Sequence, residues 1–407
     1  MPITFKKRFK PDEILDELAE ARTVGGDGSV SFSDFSIHQA VPILHSMLSF
    51  PDITADIDTA QLVWSGVLRA KEPLNQAQFL AAINAELKKF LSQREETFHV
   101  LSTMSLNPTG LPHRFSFLGT KFTLFASGFP RKYASREKVV ADLYRSNSLK
   151  DNPEKYVHVR VEVQAKTAHQ ASTKASRSLD LWRAIVCLRG NNSMQIKLAG
   201  ADYEPINCVR LGTCNTVHRS SGEIAMETIW FDPTFTPIKP KKFDNPNNLR
   251  RHLHFASKRI DQSPYSSTIK DALIKYVRSL DEPDPETAFI RLWGAIENLA
   301  SPSIANYDAV VRRCSFFYTN RDYHAQILEH LREFRNSSVH RSAHANQARI
   351  NCYLAQEYFN TLFWFHARNA TYFTSLDEAN GYLDLVSRRE NLRRERDLLN
   401  KAIRFFK

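Results

Sequence analysis

The sequence predicts an α+β region that is followed by an all-helical region. Residues 156–163 alternate valines with polar side chains, which is the period of a half-buried β-strand. Residues 232–249 contain four prolines and three asparagines, a composition typical of a junction between domains. Beyond that junction, apolar residues recur at helical spacing up to the end of the chain. A chain of 407 residues is also long for one compact domain, so two or three domains are expected.

The N-terminal part, residues 1–240, is predicted to be an α+β domain. The alternative is a helical part over 1–100 that precedes an α+β part over 101–240. The clearest early helix covers 76–91, where six apolar residues follow a period near 3.6. We expect this N-terminal part to sense a signal or to restrain the activity of the rest of the chain.

The middle of the chain combines strand and helix patterns. Residues 115–125 hold aromatic and β-branched side chains around Gly119, which predicts a β-hairpin. An alanine-rich stretch at 168–188 has its apolar residues on one side and predicts a helix. Shorter strands are predicted at 194–198, 208–211 and 225–231.

The C-terminal part is predicted to be a basic linker over 241–264 and a helical domain over 265–407 that ends in a basic helix. The helix lengths suit a bundle. Helices are predicted at 265–280, 286–299, 306–318, 323–334, 345–372 and 376–406, with a break allowed in the last.

Composition excludes several classes of protein. No run of 18 apolar residues occurs, so no transmembrane helix is expected. The basic N-terminus lacks the apolar core of a secretory signal. The five cysteines are few, odd in number and scattered, which favours the reducing cytoplasm over a disulfide scaffold.

The net charge of +11 is concentrated in two segments. Residues 239–259 hold seven basic residues and one acid, and residues 387–407 hold eight basic residues and three acids. These two segments account for the whole excess. A focused positive charge indicates a polyanion partner such as RNA, DNA or an acidic membrane surface. The alternative is two solvated basic faces that bind nothing.

The most informative motif is Arg335, directly followed by Asn336, with His340 four residues further on. On one unbroken α-helix, Arg335 and His340 would lie about 140° apart around the axis. The two side chains can converge only if the helix ends or bends between them, and the serines at 337 and 338 favour such a break. The alternative is an ordinary arginine near a helix C-terminus, where cations are favoured.

This motif resembles that of the HEPN superfamily, specifically its Apea-like members, in which an arginine and a polar residue precede a histidine. A second similarity lies upstream, where Trp293 and Glu297 share a strongly apolar helix. The resemblance covers about 265–375. It implies an HEPN-type helical bundle that acts as a metal-independent endoribonuclease, with two copies of the motif meeting in a homodimer. It also implies a cytoplasmic role in prokaryotic antiphage defence, with an unknown trigger ligand or protein.

The resemblance assigns roles that suit the chemistry of the residues. His340 would be the acid or base, since histidine titrates near neutral pH. Arg335 would stabilise the phosphate with its fork of donors, and Asn336 would orient the scissile group. Attack by the RNA 2′-hydroxyl would leave 2′,3′-cyclic phosphate ends.

Further residues are expected to support this site. Glu297 should pair with Arg335 or with another arginine such as Arg312 or Arg313, because a carboxylate beside an apolar face needs a partner. The alternative is a glutamate on the surface. RNA phosphates should contact four arginines of the last helix. They are Arg388, Arg389, Arg393 and Arg394. No cofactor and no metal site are expected.

The rival hypothesis is a non-catalytic HEPN module that serves as a dimerisation or RNA-binding scaffold. Under it, Arg335 and His340 would face the core or lie far from their symmetry mates. No nucleotide-binding glycine loop occurs in the sequence, so neither a nucleotide-dependent motor nor a dinucleotide enzyme is expected. No GxSxG motif is present either.

Overall fold

The structure is a computed structural model that divides into two compact units. The first comprises Met1–Glu96 with Gln164–Gln170, and the second comprises Thr97–Val163 with Ala171–Lys407. The residues described are 2–51, 57–147, 155–195, 204–226, 230–233, 235–302, 307–338, 345–385 and 389–406.

The first unit is a small helical core with two short β-ribbons. Its helices are α1 (Asp12–Ala21), α2 (Ser36–Met47), α3 (Thr59–Arg69) and α4 (Gln76–Ser92). Its strands are β1 (Thr4–Phe5), β2 (Arg22–Val24), β3 (Val30–Phe32) and β4 (Leu48–Ser49), paired β1 with β4 and β2 with β3. The helix predicted at 76–91 is confirmed as α4. Asn75 caps it by accepting a hydrogen bond from the backbone N–H of Gln78 at 3.0 Å.

The second unit contains a six-stranded sheet. Its strands are β5 (Glu96–Met104), β6 (Arg114–Phe117), β7 (Thr120–Phe125), β8 (Val157–Ala165), β9 (Cys214–Arg219) and β10 (Trp230–Phe231). The order across the sheet is β10-β9-β5-β8-β7-β6, so β6 lies at one edge. Its chain also forms α5 (Ser135–Asn147) and α6 (Ala168–Gly190), which confirms the helix predicted at 168–188.

The predicted hairpin is confirmed by β6 and β7, which pair antiparallel across a two-residue turn. Both turn residues have positive φ, 48° at Leu118 and 78° at Gly119, as a type I′ turn requires. Strand β8 shows the expected alternation, with its valines buried and its polar residues half-buried or exposed. The strand predicted at 208–211 is misplaced, because the regular strand is β9. Polar Asn215, Thr216 and His218 are buried there, so β9 lacks the apolar alternation that identifies a strand.

The C-terminal region is all helical, which confirms the predicted order of fold classes. Its helices are α7 (Pro246–Gln262), α8 (Ser266–Ser279), α9 (Pro285–Ala300), α10 (Tyr307–Ser315), α11 (Arg321–Ser338), α12 (Ala345–Arg368), α13 (Leu376–Leu383) and α14 (Arg389–Phe405). Helix α9 is central and packs against α8, α10, α11 and α12. None of the helices described is long and apolar enough to cross a membrane.

Helix α7 occupies most of the segment expected to be a linker. Asn245 caps this helix by accepting from the backbone N–H of Asn248 at 2.9 Å, and Pro246 begins its first turn. Asparagine and proline are typical of loops and equally of helix N-termini. Of the residues that indicated a linker, Pro246 and the three asparagines at 245, 247 and 248 therefore form the start of a helix.

Buried His366 on α12 predicts a pH-dependent stability. It is fully buried, and its Nδ1 lies 3.2 Å from the hydroxyl of Tyr265. Burial lowers the pKa of His366 from 6.5 to about 3. Between these two pKa values the His366 imidazole is protonated in the unfolded chain and neutral in the folded chain. The free energy of unfolding therefore falls as pH drops from about 6.5 towards about 3.

We expect His366→Gln to flatten this slope by about 1.4 kcal/mol per pH unit. Urea unfolding of both proteins between pH 7 and pH 4.5 measures the difference. Parallel stability profiles for the wild type and the variant would contradict the assignment.

Candidate functional site

Helix α9 carries the first block of the proposed site. Its apolar face is fully buried, and its members are Phe289, Leu292, Trp293, Ile296 and Leu299. The indole Nε1–H of Trp293 donates to Oε1 of half-buried Glu297 at 2.9 Å, one turn further along. This bond gives Glu297 a partner at the edge of an apolar face, which is where a lone carboxylate would be costly.

Helix α11 carries the second block in its last turn. Leu328 and Leu331 are buried, and the ring of Phe334 meets that of Phe289 on α9 edge to face with centroids 5.2 Å apart. Arg335 and Asn336 follow this anchor, and both are half-buried. Their position therefore depends on the packing of α11 against α9.

Arg335 and Asn336 contact each other. Nη1 of Arg335 donates to Oδ1 of Asn336 at 3.4 Å, a long and therefore weak hydrogen bond. His340 lies outside the described residues, which end at 338 in this part of the chain and resume at 345. The convergence of Arg335 and His340 stays a prediction.

Two of the three arginines considered as partners of Glu297 bind another acid. Arg312 Nε and Arg313 Nη2 donate to Asp384, at 2.9 and 2.6 Å. Partial burial works against the charged form of Asp384, but the two guanidinium groups outweigh it and the pKa of this carboxyl is lowered. These bonds join α10 to the end of α13. The expectation that Arg312 or Arg313 pairs with Glu297 is therefore wrong, because Asp384 takes both.

The basic residues of the last helix fall on α14. Arg393 and Arg394 are exposed, Arg389 is its first residue, and Arg388 lies outside the described part. Within the described residues, neither Arg393 nor Arg394 forms an ion pair with Glu390 or Glu395. Arg396 on this helix pairs with Asp397 at 3.0 Å. The two exposed cations therefore face solvent and are open to a phosphate.

Charge reversal at Arg388, Arg389, Arg393 and Arg394 should weaken RNA binding more than tenfold. Each lost phosphate contact should also reduce the slope of log affinity against log salt by about 0.7 for a single strand. Fluorescence anisotropy with a labelled RNA between 50 and 300 mM salt measures both quantities.

The matched control reverses four exposed lysines of the first unit. They are Lys7, Lys10, Lys71 and Lys88. The control has the same net charge as the test variant. Equal losses of affinity in the two variants would mean that α14 contributes only through the net charge of the protein. Unchanged binding in the test variant would mean that the arginines of α14 do not contact RNA.

The structure contains a buried network of charged side chains that the sequence did not predict. Arg183 and Asp180 on α6 are 2% and 3% exposed, and Arg183 Nη2 lies 2.7 Å from Asp180 and 2.6 Å from Asp281. Arg278 on α8 completes the network with a 2.6 Å bond from its Nε to Asp180. Burial disfavours the charged form of Arg183, but Asp281 and Asp180 outweigh it and raise its pKa. The spacing of three residues between Asp180 and Arg183 in a buried helix was the available signal.

This network lines a polar cavity of about 340 Å³. Asn215 on β9 also lines it, 1% exposed, and its amide nitrogen and oxygen have no hydrogen-bond partner within the described structure. The lining holds equal numbers of acidic and basic side chains, which already bond one another. The network therefore acts first to join α6 to α8.

No group of three or more His, Cys, Asp or Glu side chains is placed to hold a metal ion, as far as the described residues extend. No protein-family model matches this chain, and neither the curated proteins nor the solved structures include a match to it.

Proposed function

We propose that this chain is a metal-independent endoribonuclease of the HEPN type. The observation that carries the proposal is the motif of Arg335, Asn336 and His340, of which the first two lie in the last turn of a helix packed on α9. The bond between Trp293 and Glu297 on α9 supports it, because both residues belong to the upstream part of the resemblance.

The proposed reaction divides the chemistry among these side chains. One His340 removes the proton of the RNA 2′-hydroxyl, which attacks the adjacent phosphorus, and a second protonates the departing 5′-oxygen. Arg335 stabilises the charge on the phosphorane oxygens. Asn336 orients the scissile group and also accepts a hydrogen bond from Arg335. The products carry a 2′,3′-cyclic phosphate and a 5′-hydroxyl.

Two histidines in these roles require two chains, because one histidine cannot act as base and acid in the same step. A homodimer is therefore part of the proposal. The exposed apolar residues of α14 support self-association, since Leu399 and Ile403 are 63% and 62% exposed and lie one turn apart.

The biological setting follows from the resemblance by analogy. The proposal is a cytoplasmic prokaryotic enzyme of antiphage defence. In it, the N-terminal α+β region would sense a signal, a ligand or a protein, or would restrain the activity of the nuclease.

The test is RNA cleavage by the purified full chain in EDTA, followed by identification of the product ends. We expect cleavage that survives the chelator and 2′,3′-cyclic phosphate ends, which resist ligation until they are opened. No cleavage by the wild-type chain, or linear 3′-hydroxyl ends, would contradict the proposal.

The second candidate is a non-catalytic scaffold for dimerisation or RNA binding. The half-burial of Arg335 and its bond to Asn336 favour it, because an arginine held by its own helix can be structural. A scaffold binds RNA and leaves it intact, so the same assay separates the two candidates.

A further inference from the structure

A groove of about 560 Å³ runs between the edge strand β6 and helix α7. Six side chains of its lining matter here. They are Arg114, Phe115, Trp182, Arg250, Arg251 and His254. The backbone N–H of Leu118 donates to Oγ of Ser257 at 3.0 Å and so fastens the β6–β7 turn to α7 beside the groove. The groove lies wholly within the second unit.

The lining is positively charged. It contains three arginines and a histidine, and the residues that form it include no Asp or Glu. Arg114, Arg250 and Arg251 are exposed, and none of them takes part in an ion pair within the described structure. An anion entering the groove would therefore meet unneutralised guanidinium groups, which match the geometry of phosphate.

Aromatic rings form the inner wall. Half-buried Phe115 lies parallel to Phe122 at a centroid distance of 5.1 Å and an angle of 3°, and 5.5 Å from the ring of Trp182. Trp182 is 1% exposed, and its indole Nε1–H has no hydrogen-bond partner in the described part of the chain. A buried donor without a partner is unusual in a folded protein and would be satisfied by an acceptor on a ligand.

We propose that this groove binds a short stretch of single-stranded RNA, with a base against Phe115 and phosphates on Arg250 and Arg251. Aromatic rings beside basic side chains are the combination that single-strand binding uses. A groove of this size is too small to hold a duplex. Proteins read a duplex the other way round, by inserting an element of their own into a groove of the nucleic acid. The choice of RNA over other single strands rests on the proposed function.

The arginines and the aromatic rings of the lining together favour RNA over an acidic peptide as the ligand. An acidic peptide would satisfy the arginines but offers no flat ring for Phe115. A nucleotide supplies a flat base, a phosphate and acceptor atoms within reach of one another. The groove also gives a role to Arg250 and Arg251, two of the seven basic residues in the segment 239–259.

The experiment measures anisotropy of a labelled twelve-nucleotide 2′-O-methyl RNA, which cannot be cleaved by 2′-hydroxyl attack. We expect the double variant Arg250→Glu, Arg251→Glu to bind at least tenfold more weakly and with a salt slope lower by about 1.4. Phe115→Leu keeps an apolar side chain against Phe122 and should weaken binding about tenfold through the lost stack. Thermal unfolding of each variant verifies that the fold is retained.

The matched control is Lys242→Glu, Lys258→Glu, which changes the charge equally at exposed residues that do not line the groove. It should lose less than threefold in affinity. Equal losses in both double variants, no binding by the wild-type chain, or displacement of the RNA by a poly-glutamate peptide at the same concentration would each overturn the inference.

The outcome is separable from that of the proposed function. If the chain binds RNA through the groove but leaves it uncut, the proposal of ribonuclease activity is contradicted and the proposal of RNA binding in the groove is retained. If the Arg250, Arg251 double variant cleaves RNA in EDTA and binds it as the wild type does, the proposal of RNA binding in the groove is contradicted and the proposal of ribonuclease activity is retained.

Discussion

Replacement of His340 by alanine should lower the rate of RNA cleavage by about a hundredfold to ten-thousandfold, the usual contribution of one acid–base group. We expect the upper end of that range, because a symmetric dimer of the variant loses the base and the acid together. Initial rates in EDTA, at fixed RNA and protein concentrations, measure the loss. His344→Ala changes a histidine four residues away and should retain the wild-type rate.

Arg335 should be almost as sensitive. Arg335→Ala removes the donors for the phosphorane and should cost about a hundredfold to thousandfold in rate. Arg335→Lys keeps the charge but loses the planar fork, so it should restore only part of the activity. RNA binding measured on the 2′-O-methyl oligonucleotide should change far less than the rate. Full cleavage by the His340→Ala protein or by the Arg335→Ala protein would eliminate the catalytic hypothesis.

The buried network on α6 gives the second large effect. Arg183→Met should lower the free energy of unfolding by about 3–5 kcal/mol, because it leaves Asp180 and Asp281 without their shared cation. Methionine keeps much of the buried side-chain volume, so the loss reports charge more than packing. Unfolding in guanidinium chloride, followed by tryptophan fluorescence, measures it, since Trp182 is the adjacent residue.

Arg177 offers a matched control on the same helix. It pairs with Asp271 at 2.6 Å, but both side chains are nearly half exposed. Arg177→Met should therefore cost less than about 1 kcal/mol. A triple variant that adds Asp180→Leu and Asp281→Leu to Arg183→Met should recover part of the loss, because it removes the two carboxylates that Arg183→Met leaves without this cation. Similar losses from Arg177→Met and Arg183→Met would contradict the role of burial.

The elements that sequence reasoning located are those whose signal is local. Helix α4, the β6–β7 hairpin and the alternation of β8 all follow from periodicity or turn residues within a few positions. Strand β9 and helix α7 were missed for opposite reasons. The polar side chains of β9 are buried by residues distant in the sequence, so β9 lacks the apolar pattern of a strand. The first residues of α7 are polar and typical of a loop, and only the structure shows that they cap a helix.

The proposed site shows the same division. The motif of Arg335, Asn336 and His340 can be read from the sequence, and so can the apolar face that carries Glu297. The partner of Glu297 could not be predicted, because Trp293 one turn away provides it, while Asp384 binds Arg312 and Arg313, two of the three arginines considered. Which arginine meets which acid depends on how helices distant in sequence pack.

By itself the sequence determined the α+β to all-α order, the two basic segments and the motif that motivates the ribonuclease proposal. Each of these is a property of neighbouring residues or of composition. The tertiary structure alone decided that Arg183 binds Asp281 across 98 residues and that Phe115 and Arg250 line one groove. The physical reason is that buried charges and grooves arise from contacts between distant segments, and local periodicity carries no record of them.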